Sequence, residues 1–238
     1  MTQTKIGENY HRIQEKIAQT AQRVGRDPDA VRLVTVTKGH PIEAVRQAIT
    51  AGARRLGENY VEEAEPKIQA FAADTEIEWH MIGHVQSRKA EAVCDLFAFT
   101  HSLDRMKLAR RLQRFAAAKP MPVLLECNVS GESSKYGWKA WQENHWELLL
   151  PAFAEILQFT NLHVRGLMTM APYDPDPEQA RPYFERLRQL QAYLQHHLPA
   201  GDWRELSMGM SDDFEVAIET GATLVRIGTA IMGPRPVP

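Results

Sequence analysis

Lys38 closes the run Val31-Arg32-Leu33-Val34-Thr35-Val36-Thr37 and is followed at once by Gly39-His40-Pro41. So dense a set of β-branched residues predicts a strand buried on both faces, as in a parallel sheet, and the glycine and proline mark the turn out of it. A primary amine at such a strand end can attack a carbonyl carbon and hold it as a Schiff base, and the ligand sites of α/β proteins lie at these ends. A lone lysine in a strand-to-helix turn is more often a solvated charge, so the reading of Lys38 depends on its companions.

Two distant turns carry the chemistry of an anion site. Leu206-Ser207-Met208-Gly209-Met210-Ser211-Asp212-Asp213-Phe214 reads as a short strand, a glycine turn and a helix opening at Ser211 or Asp212. Backbone N–H groups of such a turn, with the Ser211 hydroxyl, suit a phosphate; an ordinary N-cap fits equally well, and Asp212 and Asp213 must point away from any anion bound there. In Thr223-Leu224-Val225-Arg226-Ile227-Gly228-Thr229 an arginine lies inside an apolar run. Period-two alternation puts Leu224, Arg226 and Gly228 on one face and Val225 and Ile227 on the other, so Arg226 points into a barrel and needs a partner there. Gly228 and Thr229 then sit at the strand's C-terminal end, where barrels commonly build phosphate sites after the seventh and eighth strands.

Two further segments bear on the same end of the fold. Gly57-Glu58-Asn59-Tyr60 places an amide beside the point where Lys38 emerges, either to orient a ligand oxygen or to cap a helix. His80 and His84, spaced by four in Trp79-His80-Met81-Ile82-Gly83-His84, invite a metal, but no third ligand stands near them and a polar mouth or core role is preferred. Cys94 and Cys127 have neither the number nor the spacing of a metal site or a disulfide framework and read as buried thiols.

The elements that must position these groups alternate along the whole chain. Strands are expected at Val31–Thr37 and near 54–57, 77–82, 96–101, 123–129, 163–168, 205–208 and 223–228, with helices near 42–51, 61–71, 87–93, 105–117, 141–159, 179–197 and 212–221. An amphipathic helix carrying Ile6, Tyr10, Ile13, Ile17, Ala21 and Val24 precedes the first strand. About eight βα units in 238 residues, with no Gly-x-Gly-x-x-Gly after the first strand, favour a TIM (β/α)8 barrel over a doubly wound sheet. No linker or low-complexity tract breaks the alternation, so residues 1–238 read as a single domain with residues 1–27 packed on the barrel.

Lys and Arg number 28 against 30 Asp and Glu, a net charge of −2, which gives no global reason for nucleic acid or an anionic membrane as partner. The basic residues between Arg105 and Lys119 share a helix with Leu108, Leu112 and Phe115 and read as its solvated face. No apolar stretch reaches a membrane span and the N-terminus lacks a signal-peptide core, so a cytoplasmic protein is expected.

An amine, a phosphate cup and an inward arginine suit pyridoxal 5′-phosphate held by Lys38. The chain closely resembles the pyridoxal-phosphate homeostasis protein family, single-domain relatives of the alanine racemase barrel, fold type III among pyridoxal-phosphate proteins. The shared residues are Val36-Thr37-Lys38 with Pro41, Gly57-Glu58-Asn59-Tyr60-Val61-Glu62-Glu63, Trp79 to Ser87, Gly166-Leu167-Met168, Leu206 to Phe214 and Val225-Arg226-Ile227-Gly228-Thr229. The resemblance implies that Lys38 carries the cofactor, that Ser211, Gly228 and Thr229 hold its phosphate, that Arg226 faces the pyridine nitrogen and that Asn59 lies beside the ring. Met81, Arg88 and Glu126-Cys127 depart from the usual family pattern.

Arg226 separates a carrier from an enzyme. Guanidinium only donates, so a pyridine nitrogen opposite it stays an unprotonated acceptor, which weakens the electron sink that amino-acid chemistry needs. Racemases of this barrel type tolerate the arginine, by resemblance, but draw a second base from an added domain. The tail after Gly233 is too short for one. The expectation is a monomeric protein of intracellular cofactor homeostasis, storing, buffering or delivering pyridoxal phosphate, with apo pyridoxal-phosphate enzymes as recipients and no catalytic residue; amino-acid racemase activity is the alternative.

Overall fold

A computed structural model describes residues 4–235; residues 1–3 and the last residues of the proline-rich tail, 236–238, lie outside the described residues. Helix α1 (Lys5–Arg23) is capped by Thr4, whose Oγ1 accepts from Gly7 N at 3.2 Å, a cap worth about 1 kcal/mol. Its stripe of Tyr10, Ile13, Ile17 and Ala21 is buried, as the sequence spacing requires, whereas Val24 lies past its end and is exposed.

The chain then alternates as β1 (Arg32–Val36), α2 (Ile42–Thr50), β2 (Arg55–Glu58), α3 (Val61–Ala70), β3 (Glu78–Met81), α4 (Ala90–Leu96), β4 (Phe99–Leu103), α5 (Met106–Phe115), β5 (Met121–Asn128), β6 (Trp138–Lys139), α6 (Leu150–Leu157), β7 (Leu162–Met168), α7 (Arg181–His197), β8 (Glu205–Ser207), α8 (Phe214–Thr220), β9 (Leu224–Ile227) and α9 (Thr229–Met232). All strand pairings are parallel, in the order β4-β3-β2-β1-β9-β8-β7-β5, and a β4–β5 pairing closes the ring. This is the expected (β/α)8 barrel. The two-residue β6 is an extra strand on β5 that the sequence pattern did not signal.

Burial on both sides of the strands explains their composition. Val34, Leu124, Met168 and Leu224, from four strands around the ring, form a small cluster inside the barrel, while Leu33, Val225 and Ile227 join the large core between strands and helices. Leu224 and Arg226 therefore face inward, as alternation requires.

Three helix boundaries differ from expectation for local reasons. The pattern at 141–159 splits into a 3-10 stretch, Glu143–Leu149, and α6, because Pro151 has no N–H and a new helix starts around it. At 87–93, a 3-10 turn over Ser87–Lys89 precedes α4, which runs to Leu96, so β4 begins at Phe99 rather than at position 96. Helix α8 opens at Phe214, not at Ser211 or Asp212; the Asp213 carboxylate accepts from Met210 N at 2.5 Å and holds residues 210–213 as a turn.

Candidate functional site

A cavity of about 630 Å³ opens at the C-terminal ends of the strands, and Lys38, Asn59, Ser211, Arg226, Gly228 and Thr229 all line it. These residues come from four loops or strands separated by up to 191 positions, and closure of β9 onto β1 brings them together, with Arg226 beside Val34 in the register. Gly228 lies against Val36: an added Cβ would stand 3.3 Å from Val36 Cβ, so the strand end that leads to Lys38 and the start of α9 pack almost backbone to side chain.

Lys38 is half-buried, and the chain around it is clamped by the buried Lys67 and Glu58 and the half-buried Glu63. Lys67, 3% exposed, donates from Nζ to Thr37 O at 2.9 Å, to Glu58 Oε1 at 2.8 Å and to Glu63 Oε1 at 2.7 Å. Thr37 Oγ1 donates to the same Glu58 oxygen at 2.6 Å, and Glu63 accepts from Gly39 N. Both peptides flanking Lys38 are thus fixed by one ammonium and two carboxylates. Burial is the main force lowering the Lys38 pKa from the ordinary 10.5, assisted by the charges of Arg235 and Arg226 and opposed by Glu63 and Glu58. A larger neutral fraction of amine is the form that attacks a carbonyl.

Gly209 turns the chain from β8 with φ of +94°, and a Cβ there would lie 2.6 Å from Ala217 Cβ, so the turn requires glycine. Beyond it, Ser211 Oγ accepts from Ala230 N at 3.3 Å and bridges the β8–α8 turn to the first turn of α9. Among the described residues, the N–H groups of Ser211 and Thr229 find no protein acceptor. Asp212 lines the cavity, whereas Asp213 faces a small neighbouring pocket and is tied to Met210.

Arg226 is 4% exposed, and two of its donors are used within the barrel: Nη1 to Ser207 Oγ at 2.6 Å and Nη2 to Thr169 O at 2.9 Å. Burial lowers its pKa to about 10, which still leaves it charged at neutral pH. Because Ser207 Oγ accepts from Arg226, its own hydrogen is directed to His101 Nδ1, 2.9 Å away; His101 then carries its proton on Nε2 and donates to His80 Nδ1 at 2.8 Å. Both imidazoles are buried and held neutral mainly by desolvation. His80 is therefore an interior relay residue and His84 a mouth residue, its ring stacked on Tyr136 at 3.7 Å. No group of three or more His, Cys, Asp or Glu side chains suited to a metal occurs among the described residues.

Asn59 is held at the rim by Gly83, where a Cβ would stand 2.6 Å from Asn59 Cα. Opposite Lys38, β5 contributes Glu126 to the cavity wall. Sequence reasoning registered Glu126 only as a departure from a motif, and it missed His40 and Arg235, which also line the cavity; alternation along β5 with Leu124 inward was the available signal for Glu126. Cys94 and Cys127 are buried free thiols, and burial pushes that of Cys94 up to about 12 and that of Cys127 higher, away from nucleophilic use.

Residues 9–236 match the family model for the alanine racemase N-terminal domain. The chain is 46% identical over 235 residues to a pyridoxal phosphate homeostasis protein of Pseudomonas aeruginosa, covering 97% of this chain and 96% of that one. A protein of the same name from Vibrio alginolyticus is 42% identical, with 98% of each chain covered. Among solved structures, PipY of Synechococcus elongatus with PLP bound is 33% identical, with a TM-score of 0.79 over 93% of this chain and 100% of that one. Alanine racemase of Corynebacterium glutamicum, 17% identical with a TM-score of 0.71 over 98% of this chain and 62% of that one, shares the fold.

Proposed function

We propose, from the premise that this chain belongs to the pyridoxal phosphate homeostasis protein family, that it binds pyridoxal 5′-phosphate on Lys38 and serves as a reversible carrier of that cofactor. The observation that carries the proposal is the convergence of a half-buried amine, unpaired turn N–H groups and a buried arginine on one cavity. Lys38 would hold the group through its neutral amine, which attacks aldehydes with loss of water in a reaction that water reverses. Ser211, Gly228 and Thr229 would take the phosphate, Asn59 would lie beside the ring and Arg226 would face the pyridine nitrogen.

The bound cofactor supplies an electrophilic carbon and, when its ring is protonated, an electron sink. Arg226 works against the second property. Its guanidinium is held charged and its position is fixed by Ser207 and Thr169, so it presents a donor and would leave a ring nitrogen opposite it as an acceptor. That favours holding over turnover. Storage, buffering and delivery share this physical basis: a tether that protects the aldehyde from stray amines and releases it by hydrolysis or exchange with another amine. Apo pyridoxal-phosphate enzymes are the recipients that this reading implies.

The test is to give the loaded protein single-enantiomer alanine and other amino acids and follow chirality, alongside transfer of cofactor to an apo-enzyme. Transfer without interconversion is expected. Interconversion that disappears in Lys38→Ala would replace the carrier by a racemase.

A further inference from the structure

Glu126 is 4% exposed, lines the cavity, and its Oε2 is buried without a hydrogen-bond partner among the described residues. A carboxyl oxygen buried with no donor opposite it disfavours the ionised form of the group. The ring order places β5 diametrically across the barrel from β1, so Glu126 belongs to the wall facing the strand that leads to Lys38. On the reading of this cavity as a pyridoxal-phosphate site, we propose that Glu126 is a ligand-binding residue that meets the anionic cofactor as a neutral carboxylic acid, donating a hydrogen bond, and that it disfavours the cofactor when ionised.

The groups facing Glu126 support the neutral form. Asp104, in the loop after β4, adds negative charge; its own carboxylate is already engaged by Arg105, and His84 Nδ1 lies 3.0 Å from it without hydrogen-bond alignment. Arg226 on β9 and Arg105 pull the other way, each more weakly than burial or Asp104. Burial, with Asp104 second, raises the Glu126 pKa to about 7. The carboxyl is thus a donor below neutrality and a buried negative charge above it. A ligand carrying a phosphate, bound in the same cavity, favours the protonated side, so binding above neutrality draws a proton from solvent.

Glu126→Gln keeps the size and a donor and removes the titration. The full chain and this variant are titrated with pyridoxal 5′-phosphate from pH 6 to 8.5 by absorbance, and proton uptake on binding is measured in weak buffer. Equal affinity is expected at pH 6. At pH 8, one unit above the Glu126 value of about 7, wild type is expected to bind about tenfold more weakly relative to the variant. Net proton uptake near pH 8 is expected in wild type and reduced in the variant. An affinity ratio constant across this range, or equal proton uptake, overturns the role of Glu126 while leaving the site reading intact. If neither protein binds the cofactor, the site reading itself fails, and this inference with it.

Discussion

Lys67 Nζ lies 2.9 Å from the carbonyl oxygen of Thr37, the residue that immediately precedes Lys38. A lysine in the middle of α3 thereby fixes the backbone that presents the Lys38 amine, and its charge is balanced by Glu58 and Glu63. The Lys38 amine is positioned by an ion cluster as well as by its strand.

Lys67→Met should cost about 3–5 kcal/mol, because it removes one partner of a buried ion pair and leaves Glu58 uncompensated. Burial already raises the Glu58 pKa above the usual 4.5, and Lys67 is the group that most holds it down. A carboxyl whose folded pKa is raised stabilises the fold fully below its unfolded value and loses that contribution as pH rises through the folded one. Urea unfolding should therefore show a larger deficit for the variant at pH 8 than at pH 5. A deficit independent of pH would remove Glu58 from this explanation.

The polarity of the interior relay is set by Arg226, which can only donate. ¹⁵N NMR should find His101 and His80 each protonated on Nε2 and neutral at neutral pH. Ser207→Ala leaves a buried Arg226 donor and His101 Nδ1 unpaired and should cost about 1–3 kcal/mol. Nδ1–H on His101 would mean that the chain of bonds runs the other way.

Gly83→Ala drives a Cβ into the backbone of Asn59. The rim must shift, at a cost of about 1–3 kcal/mol, and cofactor affinity measured by absorbance titration should fall by at least about tenfold. Unchanged affinity would show that Asn59 does not contact the ligand.

Lys38 should react with aldehydes at lower pH than an ordinary lysine, since burial and then Arg235 and Arg226 lower its pKa. Arg235→Ala should move the midpoint of its reactivity profile upward, read residue by residue by mass spectrometry. A profile indistinguishable from those of exposed lysines would mean that the amine is solvated.

The barrel was legible because burial on both strand faces imposes apolar runs, and Leu224, Arg226 and Gly228 could be assigned inward by alternation alone. The chain of Arg226, Ser207, His101 and His80 was not, because its His101–Ser207 link crosses the barrel interior between β4 and β8, which are not neighbours in the ring. Lys67 was hidden for a different reason: four residues after Glu63, it has the spacing of a surface helix pair, and only the packing of α3 against the end of β1 buries it. Helix starts at Phe214 and Ala90 were misplaced where a turn or 3-10 segment carries polar residues that also suit an N-cap.

The central claim is that Lys38 is the cofactor's tether. Protein incubated with pyridoxal 5′-phosphate, reduced with borohydride and digested should carry the cofactor's added mass on the peptide containing Lys38, and the visible absorbance should be lost on reduction. Label on another lysine, or none with the protein intact, would contradict it.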